Sequence, residues 1–162
     1  MLRSMMIMLT IAMAVSFVPA VAIAGGSAFQ FSLTGGAGAA GDSFTSSALL
    51  DNAGGGDVQG WSFGVCSDPA ALTVDGAASG ADTETAKNGS APDFNQISTF
   101  ADGATQGVVL CFTGCAVIGD TSGSEMLTID HTIVGSPAPP LAYCATPPTP
   151  PAHTAALVGG AT

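Results

Sequence analysis

Three polar residues have the types that ester hydrolysis requires: Ser43 in the stretch "GDSF", and the adjacent pair Asp130 and His131. A serine nucleophile needs a histidine base, an acid that orients the base, and donors that stabilise the oxyanion. The strand-like alternation around Asp130 and His131 predicts that the two side chains point to opposite faces, so the acid cannot orient the base. The pattern favours a protein that is not an enzyme, with an esterase using Ser43 as a distant alternative.

The four cysteines form a second set of chemically active residues, and an even count indicates disulfide bonds in a chain that is exported, as residues 1–24 predict below. Our preferred pairing joins Cys66 to Cys111 and Cys115 to Cys144, because Cys66 and Cys111 both fall in strand-like segments that could be neighbours. The rival pairing includes a local bridge between Cys111 and Cys115 across a turn. A metal site is disfavoured, because "CFTGC" lacks a second matched pair and the chain has only two histidines.

Carboxylates and aromatic rings are the remaining candidates for ligand binding. We predict no cofactor, because turn chemistry accounts for the acidic residues. Trp61 shares its strand parity with Phe63 and Val65, which predicts a place in the core rather than in a platform for sugar rings. His131 lies on the apolar parity of its strand and is likewise predicted to be a core residue. Calcium binding is the alternative for a set of turn residues that carry side-chain oxygens: Asp51, Asn52, Asp57, Asp102 and Asp120.

The first 24 residues indicate a cleaved signal peptide rather than part of the fold. A basic Arg3, an apolar run from Met5 to Val18, a helix-breaking Pro19 and small residues at 22–24 are typical of such a signal. The rival is an uncleaved membrane anchor, since the apolar stretch has nearly the length that a membrane helix needs. We predict that residues 1–24 are removed and that residues 25–162 form one domain, secreted or at the cell surface, with no membrane insertion.

The charge of the chain excludes some partners. All 12 acidic residues lie beyond residue 24, and Lys87 is the only Lys or Arg there. A surface this acidic repels phosphate backbones and anionic lipids, so nucleic acid is not an expected partner. The acidity suits solubility in an exported protein, and it also suits association with cations or with a basic partner.

Apolar residues recur along the chain with period two, and almost no helical pattern occurs. Short strands separated by turns are therefore predicted to position the candidate residues. Residues 75–93 are predicted to be largely loop, with room for one weak edge strand, and residues 101–106 a hairpin connection. Seven prolines between 137 and 151 indicate an extended connection within the domain. The predicted strands are Ala28–Leu33, Ser43–Asn52, Val58–Cys66, Ala71–Val74, Phe94–Phe100, Gly107–Phe112, Met126–Val134 and Ala155–Gly160. Together they predict an all-β sandwich.

Two stretches in the first half carry a family resemblance. "GDSFTSSALLDN" at 41–52, a glycine loop, and "VQGWSFGVCSDPAALTV" at 58–74 resemble the front half of a cohesin-like domain. "GVVLCFTG" at 107–114 and "MLTIDHTIV" at 126–134 are similar to its later core strands in order and spacing. The sequence departs from the family pattern at Ser67, where a Tyr is usual.

The resemblance implies an all-β jelly-roll β-sandwich of about eight or nine strands, related to cellulose-binding modules. It also implies a secreted, non-catalytic module of cohesin type that binds a dockerin-like protein partner through one sheet face. The alternative function is a carbohydrate-binding module that attaches to polysaccharide. The family pattern places one more closing strand after "AALVGG", so we expect either a truncated reading frame or a sandwich with one unpaired edge.

Overall fold

The computed structural model describes residues 29–52, 54, 56–113, 116–119, 121–135 and 141–144, and the backbone of 155–158. The predicted signal peptide, Cys115, Asp120 and most of the proline-rich connection lie outside these residues. No helix among the described residues is long and apolar enough to cross a membrane. The elements are β1 (Gln30–Leu33), β2 (Ser43–Asn52), β3 (Val58–Cys66), β4 (Leu72–Ser79), α1 (Ala81–Thr85), β5 (Phe94–Phe100), β6 (Gly103–Val109), β7 (Thr121–Ile133), β8 (Ala142–Tyr143) and β9 (Ala155–Val158).

Two antiparallel sheets form a β-sandwich, as predicted. Sheet I has the strand order β1-β2-β7-β4, and sheet II has the order β5-β6-β3-β8, with β9 also pairing with β3. The alternating apolar residues of both sheets point inward and meet in one core. Its largest fully buried apolar side chains are Phe31, Phe63, Leu50, Leu72, Leu110, Met126, Leu127, Ile129 and Ile133.

Aromatic contacts join the two sheets at one end of the core. The rings of Phe31 in β1 and Phe63 in β3 lie 5.4 Å apart, and the ring of Tyr143 in β8 lies 5.8 Å from Phe63. The Tyr143 hydroxyl donates a hydrogen bond to the carbonyl of Ser32, 3.0 Å away. Burial raises the pKa of Tyr143, so this hydroxyl keeps its proton and remains a donor.

Four predicted segments differ from the structure. The part of β4 beyond Val74 is the weak edge strand predicted within residues 75–93, but α1 has no counterpart in the prediction. β7 begins at Thr121 rather than at Met126. β6 begins at Gly103 rather than at Gly107, because only Ala101 and Asp102 connect it to β5. The two-residue strand β8 lies in the proline-rich connection, where it pairs with the end of β3. The absence of a further closing strand stays a prediction.

Two tight connections depend on particular side chains or backbone angles. The buried amide of Asn52 donates to the carbonyl oxygens of Gly56 at 2.7 Å and Gly119 at 3.1 Å, which closes the glycine loop after β2. After α1, Lys87 and Ser90 exchange two backbone hydrogen bonds of 3.0 Å each around Asn88, whose φ is +51°. Asn tolerates this left-handed conformation better than most residues, so the chain can reverse direction there.

Candidate interaction face

The outer surface of sheet II carries no charged side chain among its described strand residues. Trp61, Phe63 and Val65 of β3 point into the core, so the alternate residues of that strand and their neighbours in register point outward. We call this surface the small-residue face. Its members are Phe94, Gln96, Ser98 and Phe100 on β5, Gly103, Thr105, Gly107 and Val109 on β6, Gly60, Ser62, Gly64 and Cys66 on β3, and Ala142 on β8.

Glycines leave the centre of this face without protruding side chains. A methyl group at Gly103 would lie 2.1 Å from the carbonyl oxygen of Val65, so the close approach of β6 to β3 requires glycine. At Gly107 the nearest atom to such a methyl group would be Cε1 of Phe94, at 3.8 Å. The Phe94 ring therefore lies beside an otherwise bare stretch of backbone and gives the face one aromatic edge.

A second exposed aromatic residue, Phe112, is hydrogen-bonded through its backbone to Asp93, the residue before Phe94, in an arrangement that we call the clamp. Phe112 is 71% exposed and Phe94 is 41% exposed. The backbone N–H of Phe112 donates to the Asp93 carboxylate at 3.0 Å, and the Lys87 ammonium donates to the other oxygen of that carboxylate. The hydrogen bond from Lys87, followed by that from Phe112, lowers the pKa of Asp93. Asp93 therefore links the turn at Lys87 to the backbone of Phe112.

The outer face of sheet I has the opposite chemistry, with carboxylates that accept hydrogen bonds from neighbouring hydroxyl groups. Asp130 accepts from Thr45 at 2.6 Å, and Glu125 accepts from Ser47 at 2.7 Å. Asp75 of β4 accepts from the Thr132 hydroxyl, also at 2.6 Å. The two broad faces of the sandwich therefore differ: one is anionic and internally hydrogen-bonded, and the other is uncharged with aromatic rings at its edge.

The structure separates the residues that suggested an esterase. The Ser43 hydroxyl lies 3.2 Å from the Thr132 hydroxyl on the outer face of sheet I. His131 points inward and is 1% exposed, and its Nε2 lies 3.0 Å from the hydroxyl of Ser46. Burial lowers the pKa of His131, partly offset by the Asp75 and Asp130 charges. The prediction that His131 is a core residue is confirmed, and its Nδ1 is buried without a hydrogen-bond partner.

A solved structure similar to this one is the third cohesin of ScaC from Acetivibrio cellulolyticus, determined in complex with a ScaB dockerin that carries a mutation in its C-terminal helix. The TM-score is 0.55 and the sequence identity is 16%, over 75% of this chain and 79% of that chain. The fold is cohesin-like. This confirms the resemblance at the level of the fold. No protein-family model matches the chain, and no curated protein matches it.

The cysteines of this cohesin-like sandwich do not pair as preferred above. Cys66 bonds to Cys144, with 5.4 Å between their Cα atoms, instead of to Cys111. The register explains the error: Cys66 lies opposite Gly103, and Cys111 comes eight residues later, roughly 26 Å along an extended chain. Cys144 reaches Cys66 because β8 pairs with the end of β3. Cys111 is also disulfide-bonded, and Cys115 lies outside the described residues.

Trp61 occupies the core of the cohesin-like fold, as predicted, and is 3% exposed. Its indole N–H donates to the side-chain oxygen of Gln106 at 3.0 Å, and the Gln106 amide donates to Asn95 at 3.2 Å. The Asn95 amide in turn donates to the Ser79 hydroxyl on β4. This buried polar chain crosses from one sheet to the other, and a reading of apolar periodicity alone does not detect it.

The residues considered for calcium do not converge in the described structure. The Asp51 carboxylate accepts hydrogen bonds from the Ser122 hydroxyl at 2.9 Å and the Gly123 N–H at 2.7 Å. The Asp102 carbonyl accepts from the N–H of Ser67 at the turn between β5 and β6. Within the described ranges, no three His, Cys, Asp or Glu side chains lie close enough to hold a metal ion. Asp120 lies outside those ranges.

Sequence reasoning missed the small-residue face and the clamp at Asp93. The alternation of Phe94, Gln96, Ser98 and Phe100 in "FNQISTF" is a signal for the outer side of β5. The sequence gives no comparable sign of the outward residues at the start of β6, because "GATQ" has the composition of a loop. The contact between Asp93 and Phe112 depends on the pairing of β5 with β6, so it cannot be found before the register is known.

Proposed function

We propose that this chain is a secreted, non-catalytic module that binds another protein through the small-residue face. The observation that carries the proposal is an uncharged sheet face with the exposed ring of Phe94 at its edge, in a chain with 12 acidic residues. The core of a protein interface is depleted in charged residues and enriched in aromatic ones. An aromatic side chain such as Phe94 buries a large apolar area when a partner covers it, so it makes a good anchor.

A dockerin-like module is the partner that we propose. The similar cohesin was determined with a dockerin, and the present chain shares its fold. The proposed secretion is supported by the sequence of residues 1–24 and by the Cys66–Cys144 disulfide, since disulfides persist in oxidising compartments. Domain limits of 25–162 belong to the same proposal. The carbohydrate-binding alternative has less support, because Trp61 is in the core and offers no ring for sugar stacking.

Calorimetric titration of the secreted chain against a panel of dockerin modules, the ScaB dockerin among them, tests this function. Thr105→Asp places a carboxylate in the middle of the small-residue face, and we expect it to weaken binding at least tenfold, or about 1.4 kcal/mol. Thr128→Asp is the matched control on the outer face of sheet I, and it should leave the affinity unchanged. Equal losses for both variants, or no binding to any dockerin, would refute the proposal. Retention on cellulose or chitin would favour the carbohydrate-binding alternative.

A further inference from the structure

The exposed strand edges of the sandwich differ in how they are protected against pairing. An unpaired edge offers a row of free N–H and C=O groups, and natural proteins block such edges with short strands, charges, prolines or bulges. β1 and β9 have four residues each, and β8 has two. β4 carries Asp75 and a register shift between Val74 and Gly76. These four edges are blunted.

β5 lacks each of those protections. Its seven residues, "FNQISTF", contain no charge and no proline, and they pair with β6 without a register shift. β5 is the terminal strand of sheet II, and within the described part of the chain no strand or backbone hydrogen bond uses its other edge. This edge is therefore open for a further strand.

The β5 sequence is also symmetric about its central residue, Ile97. Antiparallel pairing with an identical strand about Ile97 places Phe94 opposite Phe100, Asn95 opposite Thr99, and Gln96 opposite Ser98. Each pair joins residues from the same side of the strand, because the two positions are separated by an even number of residues. Aromatic residues therefore meet aromatic residues on the outer face, and polar residues meet polar residues on both faces. Such self-complementarity is what a two-fold interface requires.

We propose that β5 pairs antiparallel with β5 of a second copy of this chain, centred on Ile97, to form a dimer. Sheet II of one copy then continues into sheet II of the other. An antiparallel ladder of this length supplies about six to eight backbone hydrogen bonds, which is within the range of ordinary protein interfaces. The two pairs between Phe94 and Phe100 add aromatic contacts on the outer face.

The net charge of the chain makes the proposed dimer depend on the salt concentration. Without residues 1–24, each copy has one Lys, no Arg and 12 acidic residues, a formal charge of −11, so two copies repel one another at long range. β5 itself is uncharged, and Lys87 offsets Asp93 at one end of the strand. Raising the ionic strength from about 0.01 M to about 1 M shortens the screening length from about 30 Å to about 3 Å. The dimer is therefore expected to strengthen as salt is added.

Sedimentation analysis of the secreted chain over a concentration series, at low and high salt, tests the interface with charge variants. In the double variant Gln96→Glu/Ser98→Glu, two carboxylates face one another twice in the dimer, so we expect the monomer mass at all salt concentrations. In Gln96→Glu/Ser98→Lys the same positions form two opposite-charge pairs, so the dimer should persist. Ala78→Glu, on the exposed edge of β4, is the control and should leave the dimer unchanged. Fluorescence of the buried Trp61 verifies that each variant is folded.

Three results would overturn the proposal. The wild type could remain a monomer at the highest concentration and salt. The double Glu variant could dimerise like the wild type, which would place the contact elsewhere. The Glu/Glu variant and the Glu/Lys variant could also show the same dimerisation, which would exclude the antiparallel register about Ile97. None of these results depends on dockerin binding, so the proposal can fail while the proposed function stands, and the reverse also holds.

Discussion

The Cys66–Cys144 disulfide links residues 78 positions apart and ties the end of β3 to the segment after β8. A cross-link stabilises a fold mainly because it restricts the unfolded chain, and the effect grows with the logarithm of the loop length. For a separation of 78 residues the loop-entropy relation gives about 4.5 kcal/mol at 25 °C. That figure is a large share of the roughly 5 to 15 kcal/mol that stabilises a typical domain.

The perturbation is the double variant Cys66→Ala/Cys144→Ala, which removes both thiols. Reductant is not an equivalent treatment, because Cys111 is disulfide-bonded as well. Urea unfolding can be followed by the fluorescence of Trp61, the only Trp in the chain, which is buried in the folded state. With a denaturant slope of about 2 kcal/mol per molar, the loss of about 4.5 kcal/mol lowers the urea midpoint by about 2 M.

Ser98→Ala, on the outer side of β5, is the matched control and should unfold close to the wild-type midpoint. An unchanged midpoint in the double Ala variant, with an unchanged slope, would refute the reasoning, since the cross-link could not then be restricting the unfolded chain as assumed. A change in slope with little change in midpoint would show that the denatured state had changed in compactness. Mass spectrometry after alkylation without reductant verifies that the wild-type protein carries the bond.

Three further predictions concern buried or clamped groups. Burial lowers the pKa of His131 below 6.5, so the unfolded chain binds a proton more readily than the folded chain does. The free energy of unfolding should therefore fall as the pH drops below 6.5. His131→Gln should remove that part of the pH dependence in urea titrations. Gln106→Ala leaves the buried Trp61 N–H without its acceptor and should cost about 1 to 3 kcal/mol of stability, so an unchanged urea midpoint would contradict the role given to Gln106. Asp93→Asn weakens the clamp and should speed hydrogen exchange at the Phe112 amide while the core amides stay protected; equal exchange in variant and wild type would show that the clamp does not hold this loop.

The strands that the sequence predicts well are those that lie between clear turn signals. β2, β3 and β5 begin and end at the predicted residues, because Gly, Asp or Asn residues lie close to both ends of each; only β3 also has a regular apolar alternation, at Trp61, Phe63 and Val65. α1 escaped prediction because a helix of five residues with one buried side chain, Thr83, has no measurable period. The start of β6 was missed because Gln106 is buried through hydrogen bonds rather than through apolarity.

The candidate site was less predictable than the fold, because it depends on which strands are neighbours. The small-residue face exists only because the outward positions of β5, β6 and β3 lie side by side in register. The same holds for the disulfide, since Cys66 and Cys144 come together only through the pairing of β8 with β3. The candidate catalytic pair Ser43 and His131 is an example: the two side chains point to opposite sides of sheet I, because their positions alternate along the strands.

The turn at Lys87 has a consequence for the resistance of the chain to proteases. Beyond Arg3, Lys87 is the only Lys or Arg in the chain, so a protease that cleaves after basic residues finds a single bond to cut. That bond leads into the Lys87–Ser90 hairpin, where two backbone hydrogen bonds hold it in a tight reversal, and the Lys87 side chain is engaged by Asp93. Proteases bind their substrates in an extended conformation, so cleavage there requires the hairpin to open first. An acidic chain with a single protected basic site is thus inherently resistant to trypsin-like digestion.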